Sequence, residues 1–236
     1  SVGGVQQLPQ ASYILLPRPL EQADLPLAQL LGAAKPGALA LGGKVTESAL
    51  SIARAAGVEL VDYFARPELT VYNAIPTAEG CIGILLERRS RTLWGAAVLV
   101  LGFGPVGRAL AVRLAALGAR VTVAARRPVQ RAMAEELGLR AVPLTALAAE
   151  AAAFDTVVNT IPAPVLTAQV LAALPKKSLI VDLASTPGGT DFAAARRLGH
   201  TALHALSLPT VWAPETAGEA LARTVQAILQ EREGTV

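Results

Sequence analysis

Between Ala96 and Arg127 the spacing of apolar and polar residues changes twice. "AAVLVL" is a continuous apolar run, "GFGPVG" interrupts it, "RALAVRLAALG" repeats every three to four positions, and "ARVTVAARR" is apolar again until its two arginines. Short apolar runs bounded by turn residues read as buried strands, and the longer repeat reads as an amphipathic helix. The alternation continues downstream. Strands are predicted at Ala97–Leu101, Arg120–Ala124, Thr156–Asn159, Ser178–Leu183 and Thr201–Leu203, and helices at Val106–Leu117, Val129–Leu137, Val165–Leu174 and Thr190–Leu198. Strands and helices in strict alternation imply a parallel sheet covered on both faces, a Rossmann-type doubly wound α/β domain over residues 91–213.

The first ninety residues carry a weaker version of the same pattern. "SYILLP" (Ser12–Pro17), "GALALGG" (Gly37–Gly43) and "VELVDYF" (Val58–Phe64) are predicted strands, with a helix from Thr46, its N-cap, to Ala56. Pro76 and Thr77 predict the start of a helix over Ala78–Arg88 that connects two domains. Residues Thr216–Glu231 form an amphipathic pattern with Leu221, Val225 and Ile228 on one stripe, and 214–236 is expected to return to the first domain. The chain opens at Ser1, with no strong strand before Ser12. Residues 1–90 are therefore expected to be a smaller, N-terminally truncated α/β domain for substrate.

Composition narrows the function classes. At 53% hydrophobic and 17% charged, the 236-residue chain can bury a sizeable core. A net charge of +3, no long basic run and only nine aromatic residues argue against nucleic acid. The apolar run Leu93–Val106 is broken by Gly95, Gly102, Gly104 and Pro105, so no membrane span is expected there. "SVGGVQQLPQAS" has neither the basic start nor the apolar core of a signal peptide. The single cysteine, Cys81, excludes an internal disulfide framework and, among Ile82, Ile84 and Leu85, is expected to be a buried thiol in a cytoplasmic protein. The excess of arginine over lysine, 17 to 4, reads as genome composition or heat tolerance rather than a binding site.

Gly102, Gly104 and Gly107 form G-x-G-x-x-G between a strand and a helix, the context in which this fingerprint binds a dinucleotide. Its residues Gly102, Phe103, Gly104, Pro105, Val106 and Gly107 are the expected pyrophosphate contacts. Where an NAD-binding unit places an acid for the ribose hydroxyls, this chain has Ala124, Ala125, Arg126 and Arg127. Missing acid and added cations together predict NADP, with Arg126 and Arg127 on its 2′-phosphate. Ligands in such folds lie beyond the carboxyl ends of the strands. Thr160, Ile161 and Pro162 after one strand, and Leu183 and Ala184 after the next, are therefore expected to border the cofactor. In the loop "DLASTPGGTDF" (Asp182–Phe192), two readings of Gly188 and Gly189 stand side by side: they turn N–H groups toward an anion, as substrate donors, or they serve only to reverse the chain.

Taken in order, "NAIPTAEG", "VLGFGPVGRALA", "VTVAARR", "NTIPAPVL", "DLASTPGGTDF" and "APETAGEALA" resemble the family of dipicolinate synthase A subunits, from about Ser12 to the C-terminal helix. The resemblance implies an NADP-dependent dehydrogenase of two Rossmann-like domains, oxidising dihydrodipicolinate or its hydroxylated precursor to pyridine-2,6-dicarboxylate in the mother cell of a sporulating bacterium. It implies a partner, the flavoprotein-like B subunit of dipicolinate synthase, and a homo-oligomer is expected. Where the family tends to have "GLPG.VAP", this chain has "SLPTVWAP" (Ser207–Pro214). Donors for a dicarboxylate are sought in Asn73, Thr77, Lys44, Ser185 and the Gly188 and Gly189 amides, with a helix N-terminus at Thr77 aimed at a carboxylate. The catalytic candidates are Ser185, Glu79 and Asp191, the last two as proton acceptors; Glu79 equally suits a first-turn acid stabilising its helix. No metal is expected, and His200 and His204 are read as structural. Two other readings fit the same residues: a shikimate-dehydrogenase-like enzyme, which would need an Asp partner for Lys44, and a non-catalytic NADP-binding protein that docks or regulates a partner.

Overall fold

The structure, a computed structural model, describes residues 5–17, 20 and 26–234. Residues 1–4 and 235–236, the ends of the leader and C-terminal readings above, lie outside the described residues. The chain divides into two compact units: 1–70 with 218–236, and 71–217. Both divisions fall inside long helices.

In the first unit, strands β1 (Tyr13–Leu15), β2 (Leu39–Gly42) and β3 (Glu59–Asp62) pair in parallel in that order. Helices α1 (Leu27–Gly32) and α2 (Glu47–Ala55) cover one face, where Ile14, Ala40 and Leu60 meet Leu31, Ala49 and Ala53. Thr46 caps α2 as its sequence predicts, its hydroxyl accepting from Ala49 N at 3.3 Å. On the other face Leu39 and Leu41 pack on Leu69 of helix α3 (Pro67–Arg88) and on Ala220 and Ile228 of helix α10 (Pro214–Glu233). The predicted stripe of α10 packs into this cluster, with Ile228 buried and Leu221 and Val225 partly buried, and Ala220 and Thr224 are buried beside it. Thr224 tolerates burial because its hydroxyl donates to Ala220 O, 2.9 Å away.

The second unit has six parallel strands in the order β6–β5–β4–β7–β8–β9: β4 (Ala97–Leu101), β5 (Arg120–Ala125), β6 (Arg140–Pro143), β7 (Thr156–Asn159), β8 (Leu179–Asp182) and β9 (Thr201–His204). The order reverses between β4 and β7, the switch point of a doubly wound sheet. Successive side chains leave a strand on opposite faces. Val98 and Val100 therefore enter a core with α3, α4 (Pro105–Ala116) and α5 (Pro128–Glu136), through Cys81, Leu85, Leu110 and Ala134. Leu99 and Leu101 enter the opposite core with α6 (Leu147–Glu150), α7 (Ala168–Ala173) and α8 (Phe192–Arg197). The short helix α9 (Leu208–Trp212) adds Leu208 to the first core.

Three predicted elements differ. The connecting helix starts at Pro67 rather than Ala78, so Pro76 lies inside it and Thr77 caps nothing. An interior proline removes one helical hydrogen bond, but burial of Leu69, Ala74, Ala78, Cys81 and Leu85 on this helix outweighs that loss. The helices predicted from Val165 and Thr190 start later, at Ala168 and Phe192, because Leu166 and Thr190 form a parallel β-bridge. Edge strand β6 has no counterpart among the predicted strands. By length and apolarity α3 could cross a membrane, yet its Ala78, Cys81 and Leu85 are fully buried in a protein core.

Candidate active site

The end of β4 sets the site. Gly102 follows with φ +92, a conformation that favours glycine, and a Cβ there would strike the Thr160 hydroxyl. A Cβ on Gly107, in the first turn of α4, would collide with the Gly102 carbonyl. The protein itself thus requires two of the three glycines. Gly104 is different: it is the N-cap of α4 with φ −81, and a Cβ there would meet nothing within 4 Å. The first intrahelical bond is Arg108 N to Gly104 O, so the N–H groups of Val106 and Gly107 have no helical acceptor. An open cradle beside unpaired helix N–H groups fits a pyrophosphate.

This turn forms one wall of a cleft of about 620 Å³. Phe103, Pro105, Val106, Arg126, Arg127, Thr160, Ile161 and Pro162 line it with the three glycines, as does the unpredicted Leu144. Arg126 and Arg127 are exposed, and neither guanidinium is in an ion pair among the described residues. A third arginine holds their turn: Arg131 Nη1 donates to Ala125 O at 3.1 Å and Arg126 O at 3.0 Å. Only its spacing from the pair, on the following helix, could have suggested it.

The Thr160–Pro162 side of the cleft depends on Asp182, which the sequence analysis does not single out. It is fully buried at the end of β8. One oxygen accepts from Asn159 Nδ2 (2.9 Å) and Ala184 N (3.0 Å), the other from Gly189 N (2.8 Å) and Thr190 Oγ1 (2.6 Å). Asn159 also clamps its own loop through Ile161 N and O. This network corrects the expectation for the glycine pair. The Gly189 N–H is spent on Asp182, the Gly188 N–H on Ser185 O at 2.8 Å, and both glycines are buried, so neither presents a donor to an anion. A buried carboxylate needs such donors more than a solvated ligand does. Leu183 is packed into the core and Ala184 is buried; neither lines the cleft. Ser185 is exposed beside them.

The remaining candidates are dispersed. Asp191 caps α8 by accepting from Ala194 N at 2.8 Å. Glu79 is exposed on α3, well past its first turn, with Arg113 Nε 3.6 Å away. The Thr77 hydroxyl donates to Asn73 O at 2.6 Å, so no helix N-terminus exists there, while the Asn73 amide makes no hydrogen bond among the described residues. Lys44 belongs to the first unit, exposed and at φ 57. Its neighbour Asp62 accepts backbone N–H bonds from Lys44, Val45 and Phe64 and forms no ion pair with the Lys44 ammonium. His204 Nε2 lies 2.7 Å from Ala184 O, with its ring stacked obliquely on Phe192.

Residues 84–187, from the end of α3 through the glycine turn to the Asp182 loop, match the family "D-isomer specific 2-hydroxyacid dehydrogenase, NAD binding domain". Over 181 residues, 77% of this chain, the sequence is 41% identical to the A subunit of dipicolinate synthase of Bacillus subtilis (strain 168). The fold superposes on the crystal structure of the A subunit of dipicolinate synthase from Bacillus halodurans with a TM-score of 0.85, at 35% identity over 92% of this chain and 79% of that one. The corresponding crystal structure from Bacillus subtilis gives 0.89, at 33% identity over 99% and 83%. The chain belongs to the family of dipicolinate synthase A subunits.

The match spans 61% of the length of the curated Bacillus subtilis protein. The departure "SLPTVWAP" from the family pattern has a structural account. Ser207 sits at φ 58, the left-handed region where glycine is favoured, so the family's glycine suits the backbone better than serine. Trp212 packs over Gly80 and Gly83 of α3, where a Cβ at Gly83 would run into the indole. The gained tryptophan fills a groove that two helix glycines leave open.

Proposed function

We propose that this chain is an NADP-dependent dehydrogenase that oxidises dihydrodipicolinate, or its hydroxylated precursor, to pyridine-2,6-dicarboxylate. The observation that carries the reading is one cleft lined by the glycine cradle and by Arg126 and Arg127, with no acid in its lining and neither arginine in an ion pair among the described residues. Gly102–Gly107 would hold the pyrophosphate through the α4 N-terminus, and Arg126 and Arg127 would form bidentate bonds to a 2′-phosphate. The nicotinamide, when bound, supplies the hydride acceptor. Thr160, Ile161 and Pro162, fixed through Asn159 and Asp182, would shape the cleft against it. Ser185 and Asn73 are the donors of the second unit still open for the substrate carboxylates. Aromatisation of the ring favours hydride loss, so orientation would carry much of the rate. The spent carboxylate of Asp62 argues against the shikimate-dehydrogenase-like alternative, which would need it beside the Lys44 ammonium. The family relationship supports a flavoprotein-like B subunit for partner and the cytoplasm of the mother cell for location.

The test is a calorimetric titration with NADP⁺ and NAD⁺, followed by turnover of dihydrodipicolinate with the partner protein present. NADP⁺ should bind more tightly, and Arg126→Asp should weaken it about tenfold or more, the worth of one or two charge-assisted bonds, while sparing NAD⁺. Equal losses for both nucleotides would remove Arg126 from cofactor choice. Tight NADP⁺ binding without turnover would favour the non-catalytic docking role.

A further inference from the structure

Because every strand pair in the second unit is parallel, all carboxyl ends lie at the cofactor edge and all amino ends meet at the opposite edge. That second edge carries two adjoining clefts, of about 520 and 240 Å³, built from the end of α3 and the turns before β4, β7 and β8. They share Arg89, Arg91 and Asp155. Arg89 has a side chain only 7% exposed, which is unusual for an arginine. Its Nη1 donates to Asp155 Oδ1 at 2.8 Å and also contacts Thr156 Oγ1, but its buried Nε has no partner. A buried guanidinium requires acceptors, and one half-exposed carboxylate supplies only part of them.

Around this arginine the charge is unbalanced. Arg88, Arg91, Lys176 and Lys177 line the smaller cleft, with Asp155 as the acid facing them. Arg91, Lys176 and Lys177 form no ion pair among the described residues. Lys177 is held at φ 62 in the tight turn before β8, a conformation that favours glycine or asparagine over lysine. The larger cleft is bordered by Arg120 and by Trp94, whose side chain is largely exposed.

We propose that this amino-terminal edge is an anion site for a small molecule bearing clustered phosphates, separate from the dinucleotide cleft. Arg89 would provide the fixed donor, Arg91 the mobile fork, and Lys176 and Lys177 point charges around a space suited to one or two phosphate groups. Trp94 beside the larger cleft provides a local reporter.

The experiment titrates the whole chain with inorganic pyrophosphate in magnesium-free buffer at physiological salt, read by calorimetry and by tryptophan fluorescence. Saturable binding is expected. The double variant Lys176→Glu/Lys177→Asn should weaken it at least about tenfold, through loss of two charge-assisted contacts. Arg91→Gln should weaken it too, Arg126→Asp should leave it unchanged, and Trp94→Phe should abolish the fluorescence change alone. Lys176, Lys177 and Arg91 are exposed, so these variants are expected to fold, and thermal melts check this. No saturable binding would overturn the proposal. So would binding that survives the lysine variant undiminished; competition by NADP⁺ would then assign the pyrophosphate to the glycine cradle of the cofactor cleft.

Discussion

Removing the Asp182 carboxylate would strand donors from Asn159, Ala184, Gly189 and Thr190 in a buried site. Each unsatisfied buried donor costs about 1–3 kcal/mol, so Asp182→Ala should lower stability by roughly 3 kcal/mol or more, even allowing for relaxation. Asp182→Asn keeps the shape but turns an amide against two donors, and should cost less. Urea midpoints of the three proteins measure this. A loss for Asp182→Ala comparable to that of an exposed residue would mean that water replaces the network. The residue explains why the glycine pair reads as an anion nest in the sequence and is not one in the structure: the sequence shows "PGG", but not that a carboxylate seven positions before Gly189 faces it. By contrast, Gly102 and Gly107 were legible, because their duties are local to one strand–turn–helix. Arg126 and Arg127 were legible as the ending of a strand without an acid.

At the level of elements, the second unit was legible because β4, β7 and β8 are buried on both faces and leave uninterrupted apolar runs. Strand β6 was not, since an edge strand ending in Pro143 with exposed Arg140 carries no such run. The start of α3 was hidden for a different reason: Pro76 signals a helix start, and only tertiary packing overrides it. The other end of α3 joins the sheet through Arg89 and Asp155. Burial works against ionisation of Asp155, but hydrogen bonds from Arg89 and Thr156 and the charges of Arg89 and Arg91 outweigh it. Its carboxyl is thus held below the ordinary 3.8. A carboxylate with a lowered folded-state pKa adds stability above its unfolded value and loses it as pH falls through the folded one. Wild type should therefore lose more stability than Asp155→Asn between about pH 5 and pH 3, modestly, since the side chain is half exposed. Parallel acid-denaturation curves for the two would detach this pair from the stability of α3.

For the molecule as a whole, the cofactor cleft and the basic edge occupy opposite ends of one sheet, and Cys81 lies in the core that one face of that sheet forms with α3, α4 and α5. Its thiol is fully buried, and burial pushes its pKa up to about 12. The folded state therefore holds a proton that the unfolded state releases near its ordinary 9.0. The corresponding stability is present below about pH 9 and is lost as pH rises toward 12. At pH 8 a thiol reagent should reach Cys81 only when the second unit opens. A dinucleotide bound to the same unit must slow that reaction if opening is in rapid equilibrium. At a hundred times its Kd, NADP⁺ should stabilise the unit by about 2.7 kcal/mol and slow labelling about a hundredfold. On the proposed preference for NADP⁺, NAD⁺ at the same concentration should slow it less. Fast labelling of the folded protein would contradict the burial of Cys81. Labelling indifferent to NADP⁺, despite calorimetric binding, would mean that the unit opens around α3 while the glycine cleft stays closed. The six strands and their helices would then not form one cooperative body.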